Sequence, residues 1–114
     1  MRREEADGHA AVSQPRCEIA NAILGEECER LGEVSYRGML LCGLHTALLR
    51  LEDRQEALHY GAFRMDQWME ENKSAAADEK FVERIRHQRE EVVAALQLTR
   101  LQLRSARKVL SIGS

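Results

Sequence analysis

From Leu44 to Met69 the chain keeps one period without a break. Leu44, Leu48, Leu51, Gln55, Leu58, Ala62, Met65 and Met69 step alternately by four and three, and only Gln55 is polar. A seven-residue repeat of this kind draws a single apolar stripe along a helix and is the pattern of coiled-coil packing. A helix over 44–71 is about 42 Å long at about 1.5 Å per residue. Asn72-Lys73-Ser74 interrupts the row, and Val82, Ile85, Arg89, Val92, Leu96, Thr99, Leu103, Ala106 and Leu110 then resume it, with Arg89 and Thr99 as polar members. This predicts a second helix over 78–111, with Ser74 or Asp78 as its N-cap. Two striped helices on a short linker fold back as an antiparallel hairpin. The competing reading is one continuous helix through Ala75-Ala76-Ala77, because alanine is the strongest helix former.

A hairpin buries one stripe per helix, and this chain has apolar residues to spare. Ala94, Leu98 and Leu101 form a second row on the later helix, widened by Val93 and Val109, while Leu49, Tyr60 and Phe63 stand off the row of the earlier one. Left bare they put excess apolar surface in water, so either the preceding segment or a second chain is expected to cover them. Tyr60, Phe63, Leu98 and Leu101 are therefore the candidate contacts for a protein partner, a homo-oligomer, or both.

The remaining sequence fits a mainly α fold in which a small β-hairpin module precedes the long antiparallel helical hairpin. A chain of 114 residues supports one core of modest size, and 4% aromatic residues with a single proline favour helices over a β-sandwich. Residues 1–14 are polar, lack periodicity and end at Gln14-Pro15, so they are expected to form a flexible tail. Residues 15–45 form the compact module. Within it Glu18 to Leu24 suits a helical turn, and Val34-Ser35-Tyr36, Arg37-Gly38 and Met39-Leu40-Leu41 read as strand, turn, strand. No apolar run approaches the roughly 20 residues needed to span a bilayer. The amino-terminal stretch has acidic residues directly after its arginines and no apolar segment, so it does not read as a secretory signal, and a cytoplasmic protein is expected.

Cysteine usage sharpens the reading of that module. Cys17, Cys28 and Cys42 are followed by His45 in the order C-x10-C-x13-C-x2-H. An odd number of cysteines in a reducing compartment points to metal ligation or free thiols rather than a disulfide framework. Zn2+ favours four soft or borderline ligands in a tetrahedron, and Cys3His is a common structural set. Two residues between Cys42 and His45 place them nearly one turn apart at the start of a helix, where free backbone N–H groups and the helix dipole favour thiolate charge. Buried free thiols are the alternative, since cysteine is among the most buried residue types. A catalytic metal would need an open position and a nearby general base, and no H-E-x-x-H or related motif occurs.

The stretch RGMLLCGLH, Arg37 to His45, resembles the treble-clef group of zinc fingers. In that group the last ligand pair is a C-x-x-[CH] on the first turn of a helix that follows a β-hairpin. The resemblance covers roughly residues 17–50. The first pair here is C-x10-C, where the group usually has C-x2-C. The resemblance implies a structural zinc and a role in binding macromolecules, not a reaction.

Other candidates carry less. His9 falls in the tail, His59 and His87 on outward helix positions, and Glu26-Glu27 and Glu90-Glu91 read as solvated helix faces. No Ser/His/Asp set, P-loop or G-x-G-x-x-G is present, so neither an enzyme nor a small-molecule substrate is indicated. Charge is segregated: residues 1–42 carry −3, 43–79 carry −4 and 80–114 carry +5, which together give the net −2. Arg100, Arg104, Arg107 and Lys108 are candidate contacts to nucleic acid or to an acidic partner. The bland account of these charges is that they complement the helix dipole and pair with acidic residues of the neighbouring helix. The expected function is thus a zinc-binding interaction or adaptor protein that dimerises or docks on a partner, with a nucleic-acid-binding regulator as the alternative.

Overall fold

A computed structural model describes residues 14–73 and 78–113. Its elements are a 3-10 turn (Ile19–Asn21), strands β1 (Val34–Tyr36) and β2 (Met39–Leu41), and helices α1 (Gly43–Asn72) and α2 (Glu79–Gly113). The fold is mainly helical, with a small antiparallel sheet ahead of a long helical hairpin. Two compact units form among the described residues, one from those up to Ala47 with those from Leu110 on, and the other from those between Leu48 and Val109. The expected tail, apart from Gln14, lies outside the described residues, as do Ser74 and the Ala75-Ala76-Ala77 run.

In the first unit β1 and β2 pair Val34 with Leu41 and Tyr36 with Met39. Arg37 and Gly38 make the turn at φ 55° and 76°. Positive φ at both central residues is the type I′ geometry whose twist matches that of paired strands, and glycine adopts it without steric cost. The outer edge of β2 is closed by Glu18. Its backbone N–H donates to Leu40 O at 2.9 Å, and its carboxylate accepts the Leu40 N–H at 3.1 Å. A second antiparallel bridge joins Arg16 to Leu31, with Cys17 N–H donating to Arg30 O at 2.8 Å and Gly32 N–H to Pro15 O at 3.1 Å. Ile19 and Leu41 are fully buried and form the small apolar centre of this unit.

In the second unit the hairpin is antiparallel, because later residues of α1 meet earlier residues of α2. Trp68 packs edge-on to Phe81 with centroids 5.4 Å apart, Asp66 binds Arg89, Arg54 meets Thr99, and Glu52 meets Arg107. Asp78 caps α2, its carboxylate accepting the Lys80 N–H at 3.0 Å. The two polar members of the later heptad row are accounted for. Arg89 reaches out to Asp66, and the buried Thr99 hydroxyl donates to Ala95 O at 2.8 Å and accepts from Arg54 Nε at 3.3 Å. A buried hydroxyl without such partners would cost more than the packing gains.

The α1 stripe starts one turn later than its periodicity suggests. Leu44 is 39% exposed, and the buried residues of the first turns are His45, Thr46, Leu48 and Leu49. His45 and Thr46 lie on the face that Cys42 sets, so local chemistry displaces the apolar row there.

Leu103, 1% exposed, is the most enclosed apolar side chain of the second unit. Leu103→Ala is expected to lower unfolding free energy by about 3 kcal/mol, read from urea denaturation at fixed metal content.

Candidate metal centre

Cys42 sits immediately before α1 and acts as its N-cap. Its sulfur accepts the His45 N–H at 3.3 Å, and its carbonyl accepts both the Thr46 N–H at 2.9 Å and the Thr46 hydroxyl at 2.8 Å. The helix start thus fixes Cys42 and His45 on one turn, with a backbone donor already aimed at the sulfur. The Arg16–Leu31 bridge does the corresponding work for the other two candidate ligands. It sets Cys17 against Arg30, two residues beyond Cys28, and so brings two cysteines eleven positions apart to one place. The wide C-x10-C spacing therefore does not keep Cys17 away.

The donor atoms of Cys17, Cys28, Cys42 and His45 all lie within 4.8 Å of one another, and three of the residues are buried. The recorded separations are 3.6 Å from Cys17 Sγ to His45 Nδ1, 3.4 Å from Cys42 Sγ to His45 Nδ1 and 3.9 Å from Cys28 Sγ to Cys42 Sγ. A tetrahedral ion with metal–sulfur bonds of about 2.3 Å and metal–nitrogen bonds of about 2.05 Å has edges of about 3.8 Å and about 3.6 Å. These three separations are close to such edges, and the remaining donor pairs lie within 4.8 Å. The cysteines are free thiols, and 3.9 Å is far beyond the disulfide bond length of about 2.05 Å.

The electrostatics favour a cation at the centre. Cys42 is pushed up to about 11, first by burial and then by Cys17 and Cys28 beside it, against a lowering by the His45 backbone N–H. Burial also raises Cys28, but hydrogen bonds from the Arg30 backbone and guanidinium, together with those from Cys42 and Cys17, outweigh it and bring this thiol below its ordinary value. The guanidinium Nη1 stands 3.5 Å from Cys28 Sγ. Three sulfurs this close do not ionise together in the absence of a compensating positive charge.

The imidazole is held by a group that sequence reasoning missed. Glu26, read above as part of a solvated helix face, lies outside any helix and places Oε2 3.2 Å from His45 Nε2. With His45 only 1% exposed, Glu26 is the acceptor that keeps the proton on Nε2 and leaves the Nδ1 lone pair directed at the sulfurs. The tight turn from Ile23 to Glu26, closed by the Glu26 N–H to Ile23 O bond at 3.1 Å, passes through Gly25 at φ 82°, a backbone angle that suits glycine. Gly25 directly before an acidic residue was the only sequence signal of this device.

Comparison with models of protein families, with curated proteins and with solved structures finds no match. The other predicted site residues lie in the second unit. Tyr60, Phe63, Leu98 and Leu101 are all exposed, with Arg64 stacked 6.0 Å over Tyr60. Arg107 pairs with Glu52 at 3.1 Å. Arg100 borders a shallow hollow with Glu52, Glu56 and His59, while Arg104 and Lys108 are exposed. Among the described residues no helix is long and apolar enough to cross a membrane.

Replacing the acceptor tests its part in the centre. Glu26→Ala is expected to weaken metal binding by about 10- to 100-fold, measured by competition with a chromophoric chelator, and Glu26→Gln to have a smaller effect because its amide oxygen still accepts.

Proposed function

We propose that this chain is a zinc-stapled interaction module without enzymatic activity. Cys17, Cys28, Cys42 and His45 hold one structural Zn2+, and the helical hairpin offers its uncovered apolar residues to a protein partner. The observation that carries the reading is the convergence of four donor atoms, from three separate stretches of chain, within 4.8 Å. Three thiolates with one imidazole in a tetrahedron suit zinc and exclude hard cations, which take oxygen ligands. Four protein ligands complete that coordination, leaving no open position for water, and a closed site is structural rather than catalytic. A β-hairpin leading to a helix start that supplies the last two ligands, Cys42 just before α1 and His45 in its first turn, resembles the treble-clef group. The first two ligands differ in coming from across a β-bridge rather than from a short knuckle.

Zinc in such a place supplies folding energy. Among its described residues unit one has, besides the first turn of α1 and the last residues of α2, two three-residue strands, one 3-10 turn and a small apolar centre, too little to hold itself without a cross-link. Three thiolates and Zn2+ leave one net negative charge, which the Arg30 guanidinium and the α1 N-terminus offset.

The interaction half of the proposal is supported by Tyr60, Phe63, Leu98 and Leu101, each exposed on the hairpin. The basic end is less suited to nucleic acid, because Arg107 is already engaged with Glu52 and Arg100 faces an acidic neighbourhood. Nucleic-acid binding would weaken steeply with salt, whereas an apolar helix contact would not.

Native mass spectrometry of the full chain is expected to find one zinc per chain, and a metal-free chain would overturn the proposal. Chelation should remove amide-exchange protection from β1 and β2 and expose three reactive thiols while most of the far-UV helical signal remains. Acidification should have the same effect, since thiolates and the Nδ1 lone pair are the binding forms and protons compete for them as pH falls.

A further inference from the structure

The α2 helix carries a second heptad row that the hairpin does not use. Glu91, Ala94, Leu98, Leu101, Ser105 and Lys108 step by three, four, three, four and three, and all six are exposed. At about 100° per residue this row lies on the opposite side of α2 from Val92, Leu96, Thr99, Leu103 and Ala106. Leu98 and Leu101 at its centre are 55% and 56% exposed. The row is its own complement when reversed. Read backwards it opposes Lys108 to Glu91, Ser105 to Ala94 and Leu101 to Leu98.

We propose that two copies of this chain associate through this outer face of α2, antiparallel, about a two-fold axis passing between Leu98 and Leu101. The inference rests on the reading of the hairpin as an interaction surface and names its occupant. Each position at the start of a heptad then meets the fourth position of the partner, which is how layers form in antiparallel coiled coils. Four leucines make the central cluster. Small residues, Ala94 against Ser105, lie on either side of it and let the helices approach closely. The Glu91 carboxylate of each copy meets the Lys108 ammonium of the other at both ends.

Charge fixes direction and register. A parallel pair would set Glu91 against Glu91 and Lys108 against Lys108. Sliding the antiparallel pair by one heptad would bury Glu91 against Leu101, or Lys108 against Leu98. Only the proposed register matches leucine with leucine and opposite charges with each other. A contact of this kind is isologous, so it closes at two copies. A foreign protein seated on this face would have no reason to find the row palindromic in charge and in side-chain size.

Sedimentation velocity of the zinc-loaded full chain over a concentration series tests the proposal. The expected result is a monomer–dimer equilibrium that Leu98→Glu abolishes. Glu91→Lys and Lys108→Glu, changed singly, should each weaken association about tenfold. The double variant Glu91→Lys with Lys108→Glu should restore it to within about threefold. Because all these positions are exposed, each variant is expected to keep its metal content and helical signal. A double variant as weak as the singles would overturn the register. A zinc-loaded chain that stays monomeric would overturn self-association while leaving the metal module standing, whereas a metal-free chain would count against the module itself.

Discussion

The N–H of His45 pointing at the sulfur of Cys42 links the two kinds of order in this protein. One residue ends the β-hairpin, starts the long helix, and supplies a donor atom to the Cys3His cluster. A helix needs a partner for its first free N–H groups, and a buried thiolate needs hydrogen-bond donors. Placing cysteine at the N-cap meets both needs with one bond. His45 follows on the same turn, so the helix itself sets the distance between two of the four donors. The bridge between Arg16 and Leu31 performs the same task for the other two with backbone pairing instead of a helix. The proposed zinc would then lock together segments that otherwise share little apolar surface.

Around this cluster the second layer of contacts is polar and directional. Glu26 sets the imidazole tautomer, and Arg30 offsets charge on the least buried sulfur. Neither residue belongs to the candidate ligand set, yet each fixes a property that this set depends on: which nitrogen carries the lone pair, and how much negative charge the site tolerates.

The hairpin is held by a different logic. Its inner face packs Leu96, Thr99 and Leu103 in the core, and the buried Thr99 hydroxyl is satisfied within the hairpin. Contacts at the rim, Asp66 with Arg89 and Glu52 with Arg107, are exposed, so they act on alignment more than on stability. α2 differs from α1 in having ordered features on both sides. Its inner row is apolar along most of its length. Its outer row is apolar only in the middle and charged at its ends, a layout suited to a reversible contact with defined register.

Much of this was legible without coordinates. Two unbroken heptad rows determined the helices to within one or two residues at their ends, because a 3.5-residue period leaves one face to bury and no other element fits it. The pair Cys42 and His45 announced itself by spacing, and the Arg37-Gly38 turn by its glycine. What the tertiary structure alone decided was which distant residues meet. That Cys17 reaches Cys28 depends on a single β-bridge with no periodic signature, and that Glu26 reaches His45 depends on a turn nineteen residues upstream. Local sequence encodes local geometry through backbone sterics and side-chain period. A ligand set is closed by contacts between segments, whose registers are chosen by the packing of the whole unit.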